Sequence, residues 1–168
     1  MEKTNNISRK NKPLQNKASK IWHSMHARAG KVEGYLDVTI AEEWYEFENF
    51  YNWYVVNYVE GWHLDKDIKV EGNRQYGPDT CIMVPAVINS LFTRSDSMHG
   101  YKGVYFDSRS NKYYAQMRIN GKTVQSGHSV LVEEAHRMFN AIRRGRINEL
   151  RDQYSFNIPL YNALQQYI

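Results

Sequence analysis

Three side chains that can bind a divalent metal ion or transfer a proton alternate along one short segment. The segment reads GWHLDKDIKV and contains His63, Asp65 and Asp67. On an extended strand these three residues point to one face, because side chains alternate with a period of two. Mg²⁺ and Mn²⁺ prefer oxygen ligands, so this row, with Asn89 opposite it, is a candidate metal site. A single Mg²⁺ held there would stabilise the charge that develops on a phosphate during hydrolysis.

A purely structural interpretation of the same segment stays open. In that interpretation the carboxylates pair with Lys66, Lys69 or Arg74, as ion pairs on an ordinary strand do. Zinc is disfavoured because the chain has one cysteine, Cys81, and no cysteine pair. The same count excludes a disulfide framework.

Two strands and a helix would position these residues. We predict a strand from Trp62 to Ile68, a loop rich in Gly and Asn, a second strand from Thr80 to Val84 and a helix from Pro85 to Phe92. Pro85 suits a first helical turn, where its missing N–H costs nothing.

A helical zone rich in aromatic residues, 18–60, precedes the strands. Its second half places an aromatic stripe at helical spacing. Stripes of this kind are usually core, and we expect core here rather than a base-stacking surface. The stripe consists of Trp44, Phe47, Phe50, Tyr51 and Tyr54.

The pattern of residues 100–141 predicts a second architecture, which consists of three short antiparallel strands and one amphipathic helix. From Tyr113 to Ile119 the side chains alternate, so an apolar face opposes a face of Tyr114, Gln116 and Arg118. The turn Asn120-Gly121 is a strong hairpin signal, because both of its central positions need positive φ. The third strand runs from Lys122 to Ser126 and directs Val124 inward and Thr123 and Gln125 outward. The helix starts near Val132, with Ser129 as its expected N-cap.

The charge is segregated along the chain. Residues 1–20 hold six Lys/Arg and one Glu, residues 21–100 hold six Lys/Arg and twelve Asp/Glu, and residues 101–151 hold ten Lys/Arg and four Asp/Glu. Positive charge concentrated in an arm and in the sheet module is typical of a nucleic-acid binder, although a purely colloidal role also explains it. No apolar run approaches the ~20 residues of a membrane span, and we expect a soluble intracellular protein.

The string KGVYFD…KYYAQMRINGKTVQSG…EEAHRMFNA resembles the ethylene-response-factor (apetala-type) DNA-binding domain. In that family the sheet, not the helix, enters the major groove of double-stranded DNA. This sequence carries fewer Arg and Trp on the sheet than the plant domains do, so their base preference does not transfer. The resemblance implies DNA contact by Lys102, Tyr105, Arg109, Lys112, Tyr114, Gln116, Arg118, Lys122, Thr123 and Gln125.

The strand, loop, strand and helix segment, with the W–M–R and EEW–FENFYNW runs before it, resembles phage HNH homing endonucleases. The resemblance implies that Asp65 and Asn89 hold Mg²⁺ or Mn²⁺ and that Thr80 orients the base. Lys66 occupies the position of the catalytic His, and a protonated lysine cannot accept the proton of water. Three alternatives stay open. Lys66 acts as the base after desolvation, His63 replaces the missing base, or the site is inactive.

The sequence therefore predicts an α+β protein, with a helical, HNH-like ββα-metal domain before a three-stranded sheet packed on one helix. Its zones are a disordered arm (1–17), the HNH-like domain (18–95), the DNA-binding domain (100–151) and a tail (152–168) that can dock, for example on the first domain. We expect either a metal-dependent DNA endonuclease, encoded by a phage and acting in the host cytoplasm, or an inactive DNA-binding protein on the same scaffold. Double-strand cleavage would need a homodimer, because one ββα site usually nicks one strand.

Overall fold

The computed structural model describes residues 12–93 and 99–168, which contain five α-helices and three small sheets. The protein is therefore of the α+β class. Most of the predicted arm and most of the linker predicted over 95–100 lie outside the described residues. The arm was predicted too long, because residues 12–17 belong to the first helix. The chain divides into two compact units, Met1–Asn89 and Ser90–Ile168.

The first unit contains two helices, a 3-10 helix, two pairs of short strands and the start of a third helix. β1 pairs with β3 in parallel, and β2 pairs with β4 in antiparallel orientation. α3 follows β4 without a loop. The elements are α1 (Lys12–Arg28), β1 (Thr39–Ile40), the 3-10 helix (Glu42–Tyr45), α2 (Phe47–Asn57), β2 (Trp62–Asp65), β3 (Gln75–Tyr76), β4 (Ile82–Pro85) and α3 (Ala86–Phe92).

Aromatic side chains form the core of the first unit. Phe47, Phe50 and Tyr54 lie on the buried face of α2, as the predicted stripe requires. Trp44 is buried from the 3-10 helix, and its carbonyl accepts a hydrogen bond from Trp22 Nε1 at 2.7 Å. The buried indole N–H is thereby satisfied, as the low polarity of the core demands.

The second unit is a three-stranded antiparallel sheet, in the order β5-β6-β7, packed on a long helix. The predicted hairpin turn is confirmed: Asn120 and Gly121 have φ values of 50° and 78°. A β7 that continues to Ser129 is longer than predicted. The elements are β5 (Val104–Asp107), β6 (Lys112–Ile119), β7 (Lys122–Ser129), α4 (Val132–Gln153) and α5 (Ile158–Gln165).

The sheet contacts α4 so closely that one position accepts only glycine. Ala115, Met117 and Phe139 form the buried cluster between them. A Cβ on Gly103 would lie 2.0 Å from Cε2 of Phe139, and the φ of Gly103 is +71°. A side chain at this position would both clash and strain the backbone.

The two ends of α4 differ from the expectation. Leu131, not Ser129, is the N-cap residue; Ser129 Oγ accepts from the Leu131 amide at 3.0 Å and donates to Glu134. The tail after α4 forms α5, which packs on α4 and buries Leu160 and Leu164. In the described part of the chain, no helix is long and apolar enough to cross a membrane.

Candidate functional site

The carboxylate strand is shorter than its sequence pattern predicts. β2 ends at Asp65, where it pairs with Ile82 of β4. His63 and Asp65 still alternate along this strand, but Asp67 follows in a bend. Strand alternation therefore does not place Asp67 beside the other two residues, and the predicted row of three is corrected to a pair.

Asp65 is buried and stabilises the turn that follows it. Its side chain is 8% exposed, and Oδ1 accepts hydrogen bonds from the backbone amides of Asp67 at 2.7 Å and Ile68 at 2.8 Å. Burial raises the pKa of this carboxyl, and the two backbone hydrogen bonds oppose the rise. Oδ1 of Asp65, the expected metal ligand, is thus already used to stabilise the turn.

Lys66 is more deeply buried than Asp65, at 4% exposure. Its Nζ donates to Asp67 Oδ1 and lies 5.7 Å from the ring centre of Tyr35 and 5.8 Å from that of Tyr76. These partners stabilise an ammonium by an ion pair and by cation–π attraction. Burial raises the pKa of the Tyr76 hydroxyl, so Tyr76 contributes a neutral ring. The structural ion pair of Asp67 with Lys66 is present, whereas Arg74 pairs with Asp37.

The other residues of the predicted catalytic set lie on three different elements. His63 is exposed on β2, and Asn89 is half-buried on α3. The Thr80 hydroxyl donates to the Gln75 carbonyl at 2.8 Å and holds the turn before β4. Across residues 12–93 and 99–168, no three His, Cys, Asp or Glu side chains come together as a metal-binding group.

The sheet of the second unit presents a polar face on the side away from its buried cluster. We call it the outer face; it consists of Tyr105, Asp107, Lys112, Tyr114, Gln116, Arg118, Thr123, Gln125 and His128. Its side chains form cross-strand pairs, which we call rungs. Arg118 lies opposite Thr123, Gln116 lies opposite Gln125, and Tyr114 lies between Tyr105 and His128.

A β-bulge keeps the outer face continuous along β7. Gln125 and His128 are three residues apart, so a regular strand would direct them to opposite faces. Ser126 and Gly127 together oppose Ala115, and Ser126 Oγ accepts from the Ala115 amide at 2.8 Å. The extra residue in β7 shifts the alternation by one position, so that Gln125 and His128 lie on the same face. His128 was not predicted as part of the face, because the third strand was predicted to end at Ser126. Gly127, a glycine within a strand pattern, was the available signal for a bulge.

Aromatic rings and one contact between a histidine and a carboxylate organise the end of the outer face. Tyr105 stacks on Tyr114 with ring centres 5.7 Å apart, and Tyr114 contacts His128 at 5.2 Å. His128 Nε2 lies 3.6 Å from Asp107 Oδ2. The Ser110 hydroxyl and the Arg109 amide donate to Asp107, which lowers the pKa of its carboxyl. Asp107 is therefore ionised at neutral pH, beside an imidazole.

Three of the ten residues expected to contact DNA do not belong to the outer face: Lys102, Arg109 and Lys122. Arg109 lies in the turn between β5 and β6. Lys102 Nζ donates to the carbonyls of Ser90 at 2.9 Å and Thr93 at 2.6 Å, so it caps the end of α3. Burial lowers its pKa. Lys122 lies opposite Ile119, a position that alternates to the helix-facing side, although the lysine itself is exposed.

Four side chains of the outer face have no hydrogen-bond or ion-pair partner among the described residues, in contrast to Asp107 and His128. The side chains of Gln116, Arg118, Gln125 and Lys112 make no internal hydrogen bond or ion pair in that part of the chain. Four other basic residues of the second unit donate hydrogen bonds to oxygen atoms of the unit; they are Lys102, Arg143, Arg146 and Arg151.

No protein-family model, no curated protein and no solved structure matches the chain.

Proposed function

We propose that this protein binds double-stranded DNA with the outer face of its three-stranded sheet. The unpaired Gln and Arg side chains on that face carry the proposal. In a folded protein, exposed polar groups without internal partners are free to exchange water for a ligand at little cost. A two-stranded ribbon fits the major groove, where base edges present donors and acceptors to such side chains.

Charge supports the proposal. Arg109, Lys112 and Arg118 lie on the sheet or in its first turn, and Asp107 is the one acidic residue of the outer face. Phosphate neutralisation by Lys and Arg supplies most of the sequence-independent affinity for DNA. The Asp107 carboxylate accepts hydrogen bonds from the turn that contains Arg109, and these bonds partly satisfy its charge.

Fluorescence anisotropy on a labelled duplex of mixed sequence, over a series of salt concentrations, tests DNA binding. We expect Arg118→Ala and Gln116→Ala each to weaken binding by about 1–3 kcal/mol if the contacted base is present. Lys112→Ala should reduce the salt slope by about one. Absence of binding at low salt, or unchanged binding by all three variants, would remove the outer face as the interface.

A second candidate function is DNA cleavage with Mg²⁺ or Mn²⁺, as expected for the HNH homing endonuclease lineage of phages. The antiparallel pair β2 and β4 followed directly by α3, with Asp65 and Asn89 on these elements, favours it. The donor set fits a metal poorly, because Asp65 Oδ1 already accepts two amides and the Lys66 ammonium lies in the same turn. DNA binding without cleavage is therefore our first proposal.

Relaxation of supercoiled plasmid with Mg²⁺ or Mn²⁺ separates the two candidates. Cleavage that disappears in Asn89→Ala would establish a working nuclease. We expect no cleavage by the wild-type chain while DNA binding persists. Lys66→His places an imidazole where the nuclease family has its base, so activity that appears only in this variant would identify an inactivated nuclease.

A further inference from the structure

We infer that the outer face recognises a guanine and an adenine two base pairs apart. This inference rests on the proposed DNA binding and adds the identity of the bases. It follows from the order of the rungs: Arg118 with Thr123 lies next to the hairpin turn, and Gln116 with Gln125 is the next rung on the same face.

The two rungs differ in the base that each can hold with two hydrogen bonds. The guanidinium of Arg118 presents two parallel donors, which match O6 and N7 of guanine. The amides of Gln116 and Gln125 each present one donor and one acceptor, which match N7 and N6 of adenine. Gln116 and Gln125 lie opposite each other in one rung. This rung therefore favours adenine on either strand of the duplex.

The spacing of the rungs matches the spacing of base pairs. Successive outward residues on an antiparallel strand are about 6.8 Å apart. Two base-pair steps of B-form DNA also span about 6.8 Å. A strand that runs along the groove therefore brings Arg118 and Gln116 to bases separated by one intervening pair.

These side chains are available for the contact. Arg118 and Gln125 are exposed and Gln116 is half-buried, and none of the three side chains makes a hydrogen bond within the described part of the chain. On either side of the glutamine rung, main-chain pairing and the Ser126 hydroxyl fix the backbone. A fixed backbone reduces the entropy lost when the side chains bind.

Selection from a pool of duplexes with a randomised 12-base-pair window, at a fixed salt concentration, tests the inference. With the wild-type chain we expect enrichment of guanine and adenine separated by one base pair, each preferred over other bases by about 5- to 150-fold. Arg118→Ala should remove the guanine preference alone. Gln116→Ala combined with Gln125→Ala should remove the adenine preference alone.

Lys112→Ala is the matched control. Lys112 is an exposed cation at the far end of β6, so its loss should weaken retention of all duplexes and leave the enriched bases unchanged. Thermal melting of each variant verifies that the exposed substitutions leave the fold intact.

The possible results separate the two proposals. Retention without enrichment, enrichment at another spacing, or a preference that survives the Arg and Gln substitutions would overturn the inference and leave DNA binding in place. No retention of any duplex at low salt would overturn both.

Discussion

The first unit buries Asp65 and Lys66 of its candidate site, whereas the second unit exposes Arg118 and Gln125 of its candidate site. Asp65 and Lys66 are 8% and 4% exposed, and their polar atoms are engaged by neighbouring amides, Asp67 and aromatic rings. Arg118 and Gln125 are exposed and have no internal partner among the described residues. Both regions contain residue types that can bind or cleave nucleic acids. Only the second region leaves side-chain donors and acceptors free to bind a ligand.

This difference teaches that a residue's chemistry is decided by its existing partners. A buried carboxylate that already accepts two backbone hydrogen bonds mainly stabilises its turn, and a new ligand must compete with those bonds. The side-chain amides of Gln116 and Gln125, which have no internal partner among the described residues, only have to release water. Substitutions can therefore separate stability effects in the first unit from binding effects in the second.

The largest effect is expected from Asp65→Ala. Removal of the carboxylate leaves the amides of Asp67 and Ile68 without their acceptor, and we expect the free energy of unfolding to fall by about 2–4 kcal/mol. Asp65→Asn keeps an oxygen acceptor and should stay within about 1 kcal/mol of the wild type. Urea denaturation measures both variants.

Asp65→Asn also tests whether the first unit binds a metal ion, which would contradict a purely structural role of Asp65. In that case Mn²⁺ would raise the melting temperature of the wild type but not of Asp65→Asn. Equal melting temperatures with and without Mn²⁺ in both proteins would agree with a structural carboxylate.

The next effect concerns binding. Arg118→Lys keeps the positive charge but loses the planar pair of donors. We expect discrimination between duplexes that differ at the guanine to fall by about 1–3 kcal/mol, with an unchanged salt slope. Anisotropy titrations on the two duplexes measure this. A reduced slope with unchanged discrimination would mean that Arg118 contacts phosphate.

The parts that could be predicted from the sequence are those set by neighbouring residues. Alternation from Tyr113 to Ile119 and the positive φ of Asn120-Gly121 define the β6–β7 hairpin, and the predicted turn is confirmed. The bulge could not be predicted with equal ease, because the residue opposite Ser126 and Gly127 lies on another strand. The capping of α3 by Lys102 likewise depends on a carbonyl that is 12 residues away in sequence. DNA contact and metal binding stay predictions.

A smaller effect is expected for Lys102, which the sequence grouped with the DNA contacts. Lys102→Met removes hydrogen bonds to the carbonyls of Ser90 and Thr93, so the free energy of unfolding should fall by about 1–2 kcal/mol while DNA affinity changes little. Lys112→Met should do the opposite, with stability within about 0.5 kcal/mol of the wild type. Equal losses of DNA affinity in both variants would show that Lys102 also contacts DNA.

The smallest effect is the pH dependence that Asp65 gives to the first unit. Burial raises the pKa of its carboxyl in the folded protein above the value in the unfolded chain, so the protonated form favours folding. The stabilisation from this group is complete below about pH 4 and is lost as the pH rises through the folded pKa. As the pH rises, the free energy of unfolding of the wild type should therefore fall relative to that of Asp65→Asn. The fall is about 1.4 kcal/mol for each pH unit between the pKa of the Asp65 carboxyl in the unfolded chain and its pKa in the folded protein. Urea denaturation of both proteins at pH values from about 4 to 8 measures that difference, in which the other titrating groups cancel. A difference that shifts in favour of the wild type would mean that the two backbone hydrogen bonds outweigh burial, and that the carboxylate is held ionised in its turn.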